Sequence, residues 1–327
     1  MISTMLRLLP LWLFTPLRRG AVRLRRGSLG RSLCVLILKH ASVAYRGRLG
    51  ARLTEIRPLD APQLSFLPTD SMVMDAVYWL GIQGYEGKVA DVWGELCRHA
   101  DAILEIGGNV GLFTVIGGTT TAGSYTVIEP VPDLVDVIKA NLRRNGLTSV
   151  DVRQAAVIPA ETAGIVRLNI PDEHRAAPVG AHLLEGVEVA GRSSMRVLAV
   201  DGLPIRALMA GKDLVKIDAE GIEAELLGAV RDLLLERRPS LLVEVLPEAR
   251  KLGVFLAAIA SEAGYVISII PEYGSDRIVT VRPEAFSSEL PQRFNSKDIV
   301  LSPAPLPFPQ DSWPAETTNG SAVGHVG

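Results

Sequence analysis

A chain of 327 residues has the length for one large α/β domain with extensions, and not for two independent catalytic domains. Its 48% apolar and 21% charged residues, with four Trp and seven Phe, exclude a disordered chain. Two cysteines, Cys34 and Cys97, are too few for a disulfide framework and lack zinc-ligand spacing, so a reducing, cytoplasmic setting is expected. The net charge of −2 conceals a split, because residues 1–57 carry eleven Arg, one Lys and one Glu (+11) and leave the remainder at −13.

Taken in chain order, residues 1–60 form a basic, Leu-rich extension, expected to be helical. Arg7 and Pro10 interrupt its first apolar run, the positive charges follow that run instead of preceding it, and no stretch reaches the ~20 apolar residues of a spanning helix. The extension is therefore read as a solvated arm or as a peripheral contact with the inner face of a membrane. From about Asp70 the pattern becomes short apolar runs alternating with amphipathic stretches, as a βαβ array with a mostly parallel sheet requires. DAILEI (101–106), YTVIEP (125–130) and VDVRQAAVI (150–158) read as strands. PDLVDVIKANLRRNG (132–146) is a helix, with Pro132 and Asp133 in its first turn and Gly146 at its end.

Residues 159–200 break the rhythm and read as a β-rich insertion that shapes a substrate site. The alternation resumes with DLVKIDAE (213–220) as strand, GIEAELLGAVRDLLLERR as one helix, SLLVEVLP (240–247) as strand, a helix to Gly264, and YVISIIPEYG as strand. DIVLSP near 298 adds an antiparallel strand. The expected division is thus an extension (1–60), a catalytic domain (61–302) and a flexible tail from Pro303, rich in Pro, Ser, Thr, Gly and Asn.

The sharpest motif is EIGGNVG (105–111), between a strand and a helix. Gly107 and Gly111 let the backbone approach a ligand closely, and Asn109 tolerates a left-handed conformation. The dinucleotide fingerprint G-x-G-x-x-G is not matched, and Glu105 would repel a pyrophosphate while suiting a cationic amino acid moiety. Glu129, followed by Pro130 at the end of the next strand, is placed to accept hydrogen bonds from ribose hydroxyls. An adenosine bearing a methionine tail suits this pair better than NAD. Asp218 ends the DLVKID strand on the same edge as a candidate base, with Glu220 and Glu223 following on the helix start, where the helix dipole also favours carboxylates. Three such carboxylates leave a divalent cation such as Mg²⁺ open without favouring it. Tyr85 and Glu86 approach from the start of the domain, Glu244 sits inside an apolar strand, and His174 and His182 lie in the insertion and are left out of the site.

From Leu67 to Val300 the sequence resembles the FkbM family of methyltransferases. The likeness rests on GYE (84–86), EIGGNVGLFT (105–114), VIEPVPDLVDVIKANLRRNG (127–146), LLVEVLP (241–247) and above all KIDAEGIEAELLGA (216–229). It implies a Rossmann-like class I fold with a seven-stranded sheet and helices on both faces, S-adenosylmethionine as donor, and O-methylation of a small molecule, glycan or glycolipid. The residues read above as the site are, for the cofactor, Glu86, Glu105, Gly107, Asn109, Gly111, Glu129 and Pro130, and for catalysis Asp218, Glu220 and Glu223. The family often has Asp at the place of Glu105 and Ala at the place of Gly108. Two other readings are a non-catalytic, membrane-associated module on the same fold and an NAD-dependent oxidoreductase. The acidic body argues against nucleic acid as partner.

Overall fold

A computed structural model describes residues 53–171, 182–183, 195–272 and 277–313, together with Arg19. The arm up to residue 52, His174 with most of the loop around it, and the tail beyond 313 lie outside the described residues. Helix α1 (Met72–Leu80) starts where the Ser71 hydroxyl accepts the Met74 N–H, and a 3₁₀ turn (Ile82–Gly84) leads to α2 (Gly87–His99). Then follow β1 (Ala102–Ile106), α3 (Leu112–Thr120), β2 (Ser124–Glu129), α4 (Pro132–Arg144) and β3 (Val150–Gln154). As the sequence required, α4 has Pro132 and Asp133 in its first turn and is left through Gly146 at φ 70°.

Strands β4 (Ala156–Ile158), β5 (Gly164–Pro171), β6 (His182–Leu183) and β7 (Met195–Pro204) come next. The second half holds α5 (Ile205–Met209), β8 (Leu214–Ile217), α6 (Glu223–Ala229), α7 (Arg231–Arg237), β9 (Ser240–Glu244), α8 (Arg250–Ala263), β10 (Val266–Ile269), β11 (Ile278–Val281), β12 (Asp298–Ser302) and β13 (Gln310–Trp313).

The main sheet has the order β3-β2-β1-β8-β9-β12-β10-β11-β13. Its first seven strands, with β12 antiparallel to both β9 and β10, are the seven-stranded sheet expected, and β11 and β13 widen it to nine. One face is buried under α1 to α4, the other under α5 to α8, so helices cover both faces and the two apolar cores share only the sheet between them.

Three boundaries differ from the sequence reading. The single strand read over 150–158 divides at Ala155: β3 pairs with β2, whereas β4 pairs with β7 in a second sheet, β4-β7-β5-β6, that carries the β-rich insertion. The helix read over 221–238 breaks at Val230, whose side chain is fully buried while its φ of −122° leaves the helix. Residues 303–313, read as flexible, carry β13, which runs parallel to β11 and is held by the Thr280 hydroxyl on Gln310 and by Arg277 on Asp311. The core also begins early, since Ile56 and Phe66 are buried and bridge to each other.

Candidate functional site

The loop after β1 is built by close backbone approach. Gly107 has φ 83°, and a Cβ on it would stand 2.1 Å from the carbonyl oxygen of Asp218, at the end of the neighbouring strand. Only glycine fits there. Gly111 (φ 78°) opens α3 against the backbone of Ile138, and Asn109 takes φ 49°. At Gly108 a Cβ would meet Val127 and Ile138 within 2.8 Å, so the glycine that departs from the family pattern is matched by bulky neighbours here.

Glu129 ends β2 fully buried, one oxygen accepting the Asn109 N–H at 2.9 Å and the other the Val131 N–H at 3.0 Å. Burial pushes its carboxyl up to about 7 against the pull of these two donors. It lines a cleft at the carboxyl edge of the sheet together with Gly107, Asn109, Pro130 and, across from them, Asp218 and Glu220; Ile128, Ala155, Val157 and Leu168 make the apolar wall. The Oδ1 of Asn109 is buried there without a partner, a polar group that a ligand can satisfy. The donor set and the apolar wall fit an adenosine, whose ribose hydroxyls suit Glu129 and whose base suits the wall.

Glu105 behaves differently from the reading that gave it a ligand. Thr114 of α3 and Tyr125 of β2 donate to its Oε2 at 2.8 and 2.7 Å, and it is absent from the cleft lining. Burial pushes it up to about 7, with the opposing pull of Lys216, its register partner on β8, and of Tyr125 and Thr114. Its Oε1 is buried and unpartnered.

The carboxylates after β8 separate. Asp218 reaches the cleft with Oδ2 held at 3.2 Å by Lys216, and Glu220 lines the cleft from φ 54°. Glu223 folds back beneath the loop: its carboxylate accepts the N–H groups of Ala219 and Gly221 at 2.9 and 3.1 Å and so braces the turn. Among the described residues no three His, Cys, Asp or Glu stand close enough to hold a metal ion. Glu86, also left-handed at φ 46°, pairs with Lys297 at 2.8 Å instead of lining the cleft.

Two lysines went unnoticed in the sequence. Burial would lower Lys216, yet Asp218, Glu105 and Glu86 outweigh it and hold the ammonium charged, 5.1 Å over the Phe113 ring. Lys297 bridges Glu86 and Glu244. A lysine inside the apolar run LVKI was a usable signal for the first; the second is brought to Glu244 only by the antiparallel pairing of β12 with β9.

A doubly wound α/β domain with a glycine loop, a buried carboxylate closing the second strand and an acidic strand end on one edge has the class I methyltransferase architecture. A profile described as the Methyltransferase FkbM domain matches residues 105–275, just over half of the chain, and the protein belongs to that family. Among solved structures, the chain is similar to the methyltransferase FkbM from Methylobacillus flagellatus KT at 14% identity and TM-score 0.39, covering 82% of this chain and 60% of that one. It is also similar to precorrin-6y C5,15-methyltransferase from Geobacter metallireducens GS-15 at 14% identity and TM-score 0.33, with 66% and 86% covered. The O-methyltransferase from Bacillus cereus in complex with SAH stands at 13% identity and TM-score 0.33, with 66% and 80% covered. This chain thus spans 60% of the length of the first of these proteins. No curated protein matches it.

Proposed function

We propose that the protein is an S-adenosylmethionine-dependent methyltransferase that methylates a hydroxyl oxygen on a small molecule, glycan or glycolipid. The observation that carries this reading is Glu129, buried at the end of β2 with both oxygens fixed by backbone N–H groups and lining the cleft. S-adenosylmethionine supplies a methyl group on a sulfonium, open to in-line attack by oxygen.

The chain's own residues do the rest. Glu129 accepts the ribose hydroxyls, Gly107 and Asn109 bring the loop backbone against the methionine half, and the wall of Ile128, Val157 and Leu168 excludes water from the base. Asp218 stands across the cleft; Lys216 holds its Oδ2, so Oδ1 is the oxygen that orients the acceptor hydroxyl and takes its proton. Alignment of the two reacting atoms carries most of the acceleration, with effective molarities of ~10⁵ M or more, and the base adds about 10²–10⁴-fold. Glu220 flanks the acceptor, while Glu223 acts through the loop it braces.

The +11 arm favours peripheral attachment to an anionic inner membrane face from the cytoplasm, and no described helix is long and apolar enough to cross a membrane. The test is transfer of labelled methyl from S-adenosylmethionine to hydroxylated acceptors. Asp218→Ala should lose turnover at least a hundredfold and keep donor binding. Unchanged turnover would remove Asp218 from the chemistry, and failure of both proteins to transfer methyl to any acceptor while binding the donor would favour the non-catalytic module.

A further inference from the structure

Beyond Asp218 the carboxyl edge continues into a second polar centre that the donor cleft does not use. Glu86 from the start of α2, Glu244 from the end of β9, Asp298 from the start of β12 and Glu272 just after β10 converge on Lys297. Asp298 lies directly opposite Glu244 in the β9–β12 register, on the sheet face that also carries Lys216 and Glu105. It is 5% exposed, its Oδ2 is buried with no partner, and the charges acting on it are those of Glu86, Lys297, Glu244 and Glu272. Asp218 couples this centre to the cleft, because its charge acts on both Glu244 and Lys216.

The balance of charge is the informative quantity. With Asp218, five carboxylates meet two ammoniums: Lys216, whose charge reaches Glu86, Glu244 and Asp298, and Lys297, which already spends its contacts on Glu86 and Glu244. Asp298 and Glu272 are left facing like charge, and burial with that repulsion pushes Glu272 up to about 7 and raises Asp298 and Glu244 as well. A buried, unpaired acceptor of this kind costs stability unless a ligand supplies the missing donor. A protonated amine, which carries one positive charge and donates in several directions from a single nitrogen, suits such acceptors. A carboxylate or phosphate on the acceptor would be repelled.

We propose that this centre is the acceptor subsite and that it selects a hydroxylated acceptor bearing a protonated amine, with Asp298 and Glu272 receiving the ammonium and Asp218 the hydroxyl to be methylated. The inference rests on reading the chain as a methyltransferase. Asp298 and Glu272 here determine specificity and take no part in bond making.

The probes are 2-amino-2-deoxyglucose and ethanolamine, set against glucose, N-acetylglucosamine and ethylene glycol. Binding to the full chain is read by saturation-transfer NMR at pH 7.5, with S-adenosylmethionine binding measured on the same sample by calorimetry. The amines should receive saturation at least fivefold above their neutral counterparts, and Asp298→Asn and Glu272→Gln should each erase most of that difference without altering donor affinity. Should Asp298→Asn fold poorly, Glu272→Gln at the rim of the centre carries the same comparison. Equal transfer to amine and neutral probes, or no transfer to the amines, overturns the subsite even where the donor binds. Amine selectivity in a sample that binds no S-adenosylmethionine would retain the cation site and sink the methyltransferase reading on which its role depends.

Discussion

Glu105 and Glu129 stand at the ends of adjacent strands and are both pushed up to about 7 by burial, yet only Glu129 faces the cleft. A carboxyl held above its unfolded value of 4.5 stabilises the fold fully below about pH 4.5, and that contribution is lost as the pH rises through 7. Each can cost on the order of 3 kcal/mol at alkaline pH. Glu105→Gln keeps the hydrogen bonds from Thr114 and Tyr125 and removes the titration. Its thermal midpoint should therefore fall less than that of the unaltered protein between pH 5 and 8; parallel curves would show that Glu105 is not buried as described.

Gly107→Ala is expected to cut donor affinity more than tenfold, because the added Cβ meets the Asp218 carbonyl and φ 83° is strained for any side chain. Titration calorimetry of a folded variant checks this. The left-handed turn at Gly107, Asn109 and Gly111 was legible in the sequence because a strand-to-helix turn dictates its own backbone chemistry. The direction of Glu105 was not, since β1 is apolar on both faces and alternation cannot say which side meets the cleft. Of the five described non-glycine residues with positive φ, Asn109 and Glu220 line the cleft, while Glu86, Arg238 and Asn295 do not.

At the scale of elements, α4 fixes more than its own core. Asn141 sits on the helix's buried stripe with Leu134, Val137, Ile138 and Leu142, accepting the Leu67 N–H at 2.6 Å and donating to the Val110 carbonyl at 2.7 Å. One side chain thereby ties the chain entering the domain to the glycine loop. Asn141→Ala leaves one buried and one part-buried backbone group unpaired and should cost about 2–4 kcal/mol by denaturant unfolding. A loss below 0.5 kcal/mol would mean that water or another group replaces it. An asparagine on an apolar helical stripe was a readable signal. The split at Ala155 left only a faint mark, the change from alternating VDVRQ to apolar AAVI, and that change does not say that pairing passes from β2 to β7.

Over the whole molecule, the unread parts are those set by distant partners. Strand β13 is exposed and polar enough to pass for a tail, and only the edge of β11 gives it a place. Ending the chain at Ser302 should uncover that edge, lower the thermal midpoint by a few degrees and promote association; an unchanged midpoint would show that β13 contributes nothing. The charge split was legible from composition alone, and it predicts that the full chain sediments with anionic vesicles at low salt while a chain lacking residues 1–52 does not. Binding that persists without the arm would move the contact to the body.

The central claim is that the cleft at Glu129 holds S-adenosylmethionine. Calorimetric titration of the full chain with S-adenosylmethionine and separately with NAD, repeated with Glu129→Ala, addresses it directly. S-adenosylmethionine should bind at micromolar strength, at least tenfold more weakly to Glu129→Ala, and NAD should give no heat. A folded protein that ignores S-adenosylmethionine, or binds it equally well without the Glu129 carboxylate, would rule out this cleft as the donor site.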